Sequence, residues 1–163
     1  MEKRLRIIVC GVGFGQFYIR AIDKIKCKYK LVGILSRGSE WSKQWTKKYG
    51  VILYTDIDEI TKENVDVVCV VIKSTVVNGE GSTIVHSLLE KGINVIQEHP
   101  IDIDDYIMCI KIAQKNCCMY RLNTFYPQLS NVKQFIFLAG KLREKNDVQY
   151  INAECSVHVL FPL

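Results

Sequence analysis

The sequence has no C-x-x-C pair, and its seven cysteines, at 10, 27, 69, 109, 117, 118 and 155, form no metal-ligand spacing with its three histidines. That excludes a zinc ribbon or a thioredoxin-type site as the organising feature. The odd cysteine count argues for reduced thiols, and Cys10 and Cys69, each inside an apolar run, read as small strand filling. No apolar stretch approaches the roughly 20 residues that cross a bilayer. Lys3, Arg4 and Arg6 precede an apolar run in the manner of a signal peptide, but three glycines interrupt the run and no small-residue cleavage site follows. A soluble, cytoplasmic protein without a metal is the expectation. Polar tracts are also missing, and 48% hydrophobic against 24% charged residues is a globular balance. The net charge of +5 comes without aromatic-basic interleaving or any nucleic-acid-binding signature. The surplus, with its mild cluster at Lys24, Lys26, Lys28 and Lys30, reads as a solvated face that also favours an anionic ligand.

At 163 residues the chain can hold one domain with a full core but not two ordinary ones. The stretch that organises it is Ile7-Ile8-Val9-Cys10-Gly11-Val12-Gly13-Phe14-Gly15-Gln16. A β-branched run ends in closely spaced glycines, then opens into an amphipathic segment in which Phe14, Phe17, Tyr18, Ala21, Ile22 and Ile25 recur at helical spacing. The reading is strand, tight turn, helix. Glycine lets backbone amides approach an anion while the chain reverses, and amides at a helix N-terminus carry partial positive charge suited to a pyrophosphate. Gly11, Gly13, Phe14 and Gly15 are therefore candidate contacts to a dinucleotide, although Gln16 stands where the fingerprint has a small residue.

Tyr29 to Leu35 predicts a second strand, ending at Ser36-Arg37-Gly38-Ser39. An acid at this point would hold a ribose 2′-hydroxyl, whereas an arginine with small polar neighbours accommodates a 2′-phosphate. Ser36 and Arg37 stand here without a carboxylate, so NADPH is favoured over NADH. A helix from Glu40 to Tyr49, a strand from Val51 to Tyr54 and one helical turn from Asp56 to Ile60 follow. Asp66 to Ile72 is nearly continuous Val, Ile and Cys, as a strand buried on both faces should be, and it delivers Lys73, Ser74 and Thr75 toward a cofactor crevice. A helix from Ser82 to Lys91 presents Ile84, Val85, Leu88 and Leu89, with His86 offset from that face as a surface or packing histidine. Asn94 to Gln97 is a fifth strand ending in Glu98-His99-Pro100. The next helix begins near Asp102 and packs through Ile103, Ile107 and Ile110. Met119 to Leu122 is a sixth strand ending in Asn123-Thr124-Phe125-Tyr126-Pro127, with Pro127 placed to open a helix to about Ala139 ahead of a charged linker from Arg143 to Asp147. This alternation predicts an α/β, Rossmann-type doubly wound parallel sheet with helices on both faces over residues 1–125. Residues 126–163 read as a connecting helix and, from Tyr150 to Phe161, the first strand of a truncated second α+β domain. Glu98, His99, Asn123 and Tyr126 then fall at strand carboxyl ends, where such sheets bind ligands.

At Glu98-His99-Pro100 and Asn123-Thr124-Phe125-Tyr126-Pro127 the sequence resembles the thiazolinyl imide reductases of siderophore biosynthesis, a branch of the glucose-fructose oxidoreductase and inositol dehydrogenase superfamily. The resemblance covers essentially the whole chain, including the glycine turn, Ser36-Arg37, Lys73-Ser74-Thr75-Val76-Val77, Gly79, Gly81 and Gln97. His99 stands where most of the superfamily has the lysine of a Glu-Lys-Pro motif, and this separates the branch from the sugar dehydrogenases. The resemblance implies NADPH-dependent reduction of a thiazoline to a thiazolidine on a carrier-protein-tethered intermediate of a nonribosomal peptide synthetase. It also implies a homodimer in the full-length form. Hydride transfer to the carbon of C=N builds negative charge on nitrogen, so a proton donor is needed, and an imidazole or a fixed tyrosine hydroxyl can serve. His99 and Tyr126 are the catalytic candidates. Glu98 and Asn123 join Gly11, Gly13, Phe14, Gly15, Ser36, Arg37, Lys73, Ser74 and Thr75 as cofactor candidates. Two alternatives stay open: an NADP-dependent sugar or small-carbonyl oxidoreductase of the same superfamily, and a non-catalytic dinucleotide-binding fragment.

Overall fold

The computed structural model describes residues 3–72, 74, 79–124, 126–145, 147 and 149–150, in two compact units, residues 1–122 and 123–163. The first unit is built on β1 (Leu5–Cys10), β2 (Tyr29–Leu35), β3 (Ile52–Tyr54), β4 (Val67–Val70) and β5 (Asn94–Glu98), with β6 (Tyr120–Asn123) completing the sheet. The fold is an α/β Rossmann fold on a six-stranded parallel sheet of order β3-β2-β1-β4-β5-β6. Helices α1 (Gly15–Lys24), α2 (Glu40–Tyr49), α3 (Glu80–Glu90) and α4 (Ile103–Lys115) make the crossovers.

Side-chain alternation along β1 shows why the sheet is covered twice. Ile7 and Val9 pack with Ile19 and Ile22 of α1 and Trp45 of α2, while Ile8 and Cys10 pack with Val85, Leu88 and Leu89 of α3 and Cys109 and Ala113 of α4. Successive residues point to opposite faces, so a strand apolar at every position must be clothed on both. Asn94 ties the far edge together: its Nδ2 donates to the Asp66 carbonyl at 2.9 Å, and its Oδ1 accepts from the Met119 amide at 2.9 Å.

The structure corrects several expected faces and bounds. On α1 the buried residues are Gly15, Ile19 and Ile22, while Phe14 and Phe17 are more than half exposed, their rings 5.0 Å apart. The large apolar residues define a periodicity here, but the smaller stripe fits against the sheet. On α4 Ile103 and Ile107 are exposed, and Asp105, Cys109 and Ala113 are buried instead. Strand β4 is shorter than the apolar run that encodes it. In the second unit, Pro127 sits in a single 3-10 turn (Tyr126–Gln128), and α5 starts at Ser130 and runs to Lys145, through the start of the expected charged linker. The expected strand beyond Tyr150 lies outside the described residues. No helix among the described residues is long and apolar enough to cross a membrane.

Where β1 begins, Arg6 holds the chain ahead of β4. Its Nε and Nη2 donate to the two Asp66 carboxylate oxygens at 3.0 and 2.8 Å, and its backbone amide donates to Oδ2 at 2.7 Å. These bonds hold the Asp66 carboxyl at about 2, below the usual carboxylate range. A carboxyl lowered in the folded state stabilises fully above its unfolded value, about 4, and loses that contribution as pH falls through the folded value. Asp66→Asn is expected to cost on the order of 1 kcal/mol at pH 7 after solvent screening, with the deficit vanishing near pH 2. Urea unfolding of both proteins at pH 7 and near pH 2 checks this; a pH-independent deficit contradicts it.

Candidate functional site

Strand order reverses beside β1, whose neighbours are β2 on one side and β4 on the other. At such a point two crossovers leave in opposite directions and open a crevice at the strand carboxyl ends. The structure has a cavity of about 560 Å³ there, with Gly11, Ser36, Arg37, Asp56, Ile72 and Glu80 in its wall.

Gly11 follows β1 with φ +89°, and its amide donates to the Leu35 carbonyl at 3.0 Å. A Cβ there would stand 2.9 Å from the Val71 carbonyl oxygen and 3.1 Å from Ile72 Cγ1. Gly15 opens α1 under Val9, whose Cγ1 a Cβ would meet at 3.0 Å, whereas a Cβ on Gly13 would meet nothing within 4 Å. Phe14, the N-cap residue, offers no side-chain hydrogen bond, and the first turn of α1 holds no acid. By contrast α2 is capped by Ser39 and α4 by Asp102. Phe17 gives its amide to the Phe14 carbonyl at 3.0 Å, so the Gly15 and Gln16 amides are the ones that no side-chain cap takes, and the glycine cradle with its adjoining cavity fits a dinucleotide pyrophosphate.

Ser36 Oγ accepts from the Gly38 amide at 3.2 Å, which shapes the turn after β2. Arg37 reaches across to α3, where its Nη2 lies 2.6 Å from Glu80 Oε2. Local sequence spacing gives no sign of this acid, because it arrives 43 positions after Arg37 on another element. Cys10 is also in the cavity wall, and burial, with the Glu80 charge adding to it, pushes its thiol up to about 12. Burial likewise raises Cys69 to about 12 and Cys109 to about 11, so these thiols are filling, not nucleophiles.

At the end of β5, Glu98 and His99 are both well buried, and His99 Nε2 lies 3.5 Å from Glu98 Oε1. Glu98 Oε2 accepts from the Tyr18 hydroxyl of α1. The carboxylate therefore sits between a tyrosine and the imidazole, in position to orient the ring. Tyr18 appears in the sequence only as part of an apolar stripe, with no signal of this contact. The His99-Pro100 peptide is cis.

Ser74 turns inward. It is 1% exposed, and its hydroxyl accepts from Gln97 Nε2 at 3.0 Å, while Gln97 Oε1 accepts from Tyr120 at 2.7 Å. Burial pushes the Tyr120 hydroxyl well above the usual phenol range, which keeps it a donor in this chain. Lys73 and Thr75 lie outside the described residues. Asn123 and Tyr126 belong to the second unit, the former ending β6 and the latter opening the 3-10 turn. His86 is half-buried on α3, with Nε2 enclosed and unpartnered. Among the described residues no cluster of His, Cys, Asp or Glu could hold a metal ion.

The profile of an oxidoreductase family with an NAD-binding Rossmann fold, GFO_IDH_MocA, matches residues 5–124. No curated protein matches the chain. Solved structures similar to it include scyllo-inositol dehydrogenase from Lactobacillus casei with bound NAD(H) and scyllo-inositol, at TM-score 0.72 and 21% identity over 85% of this chain and 42% of that one. Another is myo-inositol 2-dehydrogenase from Lactobacillus plantarum, at 0.70 and 21% over 91% of this chain and 43% of that one. A third is the WlbA dehydrogenase from Bordetella pertussis in complex with NADH and UDP-GlcNAcA, at 0.73 and 14% over 86% and 43%. At these identities the likeness shows a common fold alone. The chain spans less than half the length of these proteins.

Proposed function

The chain belongs to the GFO_IDH_MocA oxidoreductase family, as an NAD(P)-binding Rossmann domain, and from that premise we propose that it is the cofactor half of an NADPH-dependent thiazolinyl imide reductase. Its reaction would reduce the C=N bond of a thiazoline to a thiazolidine on a carrier-bound siderophore intermediate in the cytoplasm. The observation that carries this reading is His99 at the end of β5, held beside Glu98, in the place where the resembled superfamily has lysine.

When bound, NADPH supplies the hydride that adds to the carbon of C=N as the π pair moves to nitrogen. The chain's own residues do the rest. Gly11, Gly13, Phe14 and Gly15 would hold the pyrophosphate at the N-terminus of α1. Ser36 and Arg37 take the ribose 2′-phosphate. His99 hands a proton to the ring nitrogen, with Glu98 and behind it Tyr18 orienting the imidazole, and Tyr126 is the second candidate donor. The resembled enzymes form dimers through a separate substrate domain.

A second reading has specific support. The similar structures act on or bind inositols and a nucleotide sugar with NAD(H), and the acid facing Arg37 suits a cofactor without a 2′-phosphate. An NAD(P)-dependent polyol or sugar oxidoreductase follows from that. Titration of the purified chain with NADPH and NADH by nicotinamide fluorescence tests the cofactor half. Reduction of a carrier-loaded thiazoline, compared with oxidation of inositols and sugars, by the chain joined to a substrate domain of the resembled enzymes separates the two readings. Saturable NADPH binding with thiazoline turnover supports the first; sugar turnover alone overturns it, and no binding of either cofactor overturns both.

A further inference from the structure

We propose that Glu80 is a specificity-determining residue of the dinucleotide cavity, occupying Arg37 and opposing entry of the 2′-phosphate that Arg37 would otherwise receive. This rests on the cofactor reading above. Glu80 opens α3, and its carboxylate lies 2.6 Å from the Arg37 guanidinium inside the wall of one cavity. Among the described residues three charged side chains line that wall, Arg37, Asp56 and Glu80, two of them acids. Asp56 is committed to the turn it caps, where its Oδ1 accepts from the Asp58 amide at 2.9 Å. Glu80 is the acid that faces the arginine.

The pair is open to water, with Arg37 85% and Glu80 49% exposed, and exposed ion pairs are readily broken. A 2′-phosphate can therefore reach Arg37, but only by displacing a carboxylate that stays anchored nearby at the start of α3, and like charges at that range repel. A ribose with a free 2′-hydroxyl meets the opposite situation, since the carboxylate can accept its hydrogen bond. The same device that gives this chain an arginine for NADPH thus leaves it able to accept NADH. Discrimination is set by a repulsive element as well as an attractive one.

The test measures dissociation constants of the 163-residue chain for NADPH and NADH, in the wild type, Glu80→Gln and Glu80→Ala, with urea midpoints recorded alongside. Wild type is expected to bind the two cofactors within about tenfold of each other. Glu80→Gln and Glu80→Ala should each tighten NADPH about tenfold while leaving NADH unchanged or weaker, and added salt should shrink the NADPH gain. An NADPH-to-NADH ratio that moves less than about twofold overturns the role of Glu80 alone. Looser NADPH binding overturns it as well, because Glu80 would then be holding Arg37 in place for the phosphate. Failure of the wild type to bind either cofactor is a separate outcome, and it overturns the cofactor reading and this inference together.

Discussion

Replacing His99 with asparagine is expected to lower the turnover of C=N reduction by on the order of 10²–10³-fold while leaving NADPH affinity within about twofold. Adding hydride to carbon without a proton for nitrogen would leave a localised anion on that nitrogen. The penalty therefore falls on the transition state and not on cofactor binding. Asparagine keeps a polar group of similar reach but cannot release a proton at neutral pH. Glu98 Oε1 lies 3.5 Å from His99 Nε2, so Glu98→Gln removes the charge behind the imidazole while retaining shape. It should reduce kcat about tenfold while leaving NADPH affinity within about twofold, a split that mere loss of packing would not produce. Steady-state kinetics and cofactor titration of His99→Asn, Glu98→Gln and Tyr126→Phe, in the chain joined to a substrate domain of the resembled enzymes, decide the matter. A His99→Asn rate within threefold of wild type, with Tyr126→Phe carrying the large loss, would move the donor role to Tyr126.

Gly11→Val is expected to abolish dinucleotide binding and destabilise the domain by about 2–4 kcal/mol. Two separate causes add. The residue sits at φ +89°, where a β-branched side chain is strained, and its Cβ would lie 2.9 Å from the Val71 carbonyl oxygen. That oxygen belongs to backbone directly after β4, so relief would require the two central strands to part. Gly13→Ala provides the contrast. Nothing lies within 4 Å of a Cβ at that position, so stability should change by less than about 0.5 kcal/mol. Dinucleotide affinity should still fall at least about tenfold if the Gly13 backbone meets the pyrophosphate. Urea midpoints and NADPH titration of the two variants separate a glycine needed by the fold from one needed by a ligand. Unchanged affinity in Gly13→Ala would remove Gly13 from the cofactor contacts.

From Leu5 to Asn123 the sequence alone determined the order and type of the elements, because strands clothed on both faces must be apolar without interruption. β1 and β4 advertise this in Ile7-Ile8-Val9-Cys10 and Val67-Val68-Cys69-Val70. Helix caps are equally local: Ser39 and Gly50 bracket α2, and its bounds and those of β2 match the expected ones. The glycine turn was legible for the same reason, since closely spaced glycines after a strand encode the conformation of their own backbone. Tertiary structure decided which helical stripe is buried. Phe14, Phe17, Ile103 and Ile107 are exposed because the sheet surface accepts the smaller stripes of Ile19 with Ile22 and of Cys109 with Ala113.

Tertiary structure also decided the company each site residue keeps. Ser74 is turned to Gln97, Glu98 is gripped by Tyr18 of a helix 80 positions earlier, and Arg37 meets Glu80 from the opposite side of the crevice. Periodicity and spacing report on neighbours along the chain. These contacts join residues that only the crossovers of a doubly wound sheet bring together, so the sequence could name Arg37, Glu98 and His99 but not Glu80 and Tyr18, which meet Arg37 and Glu98.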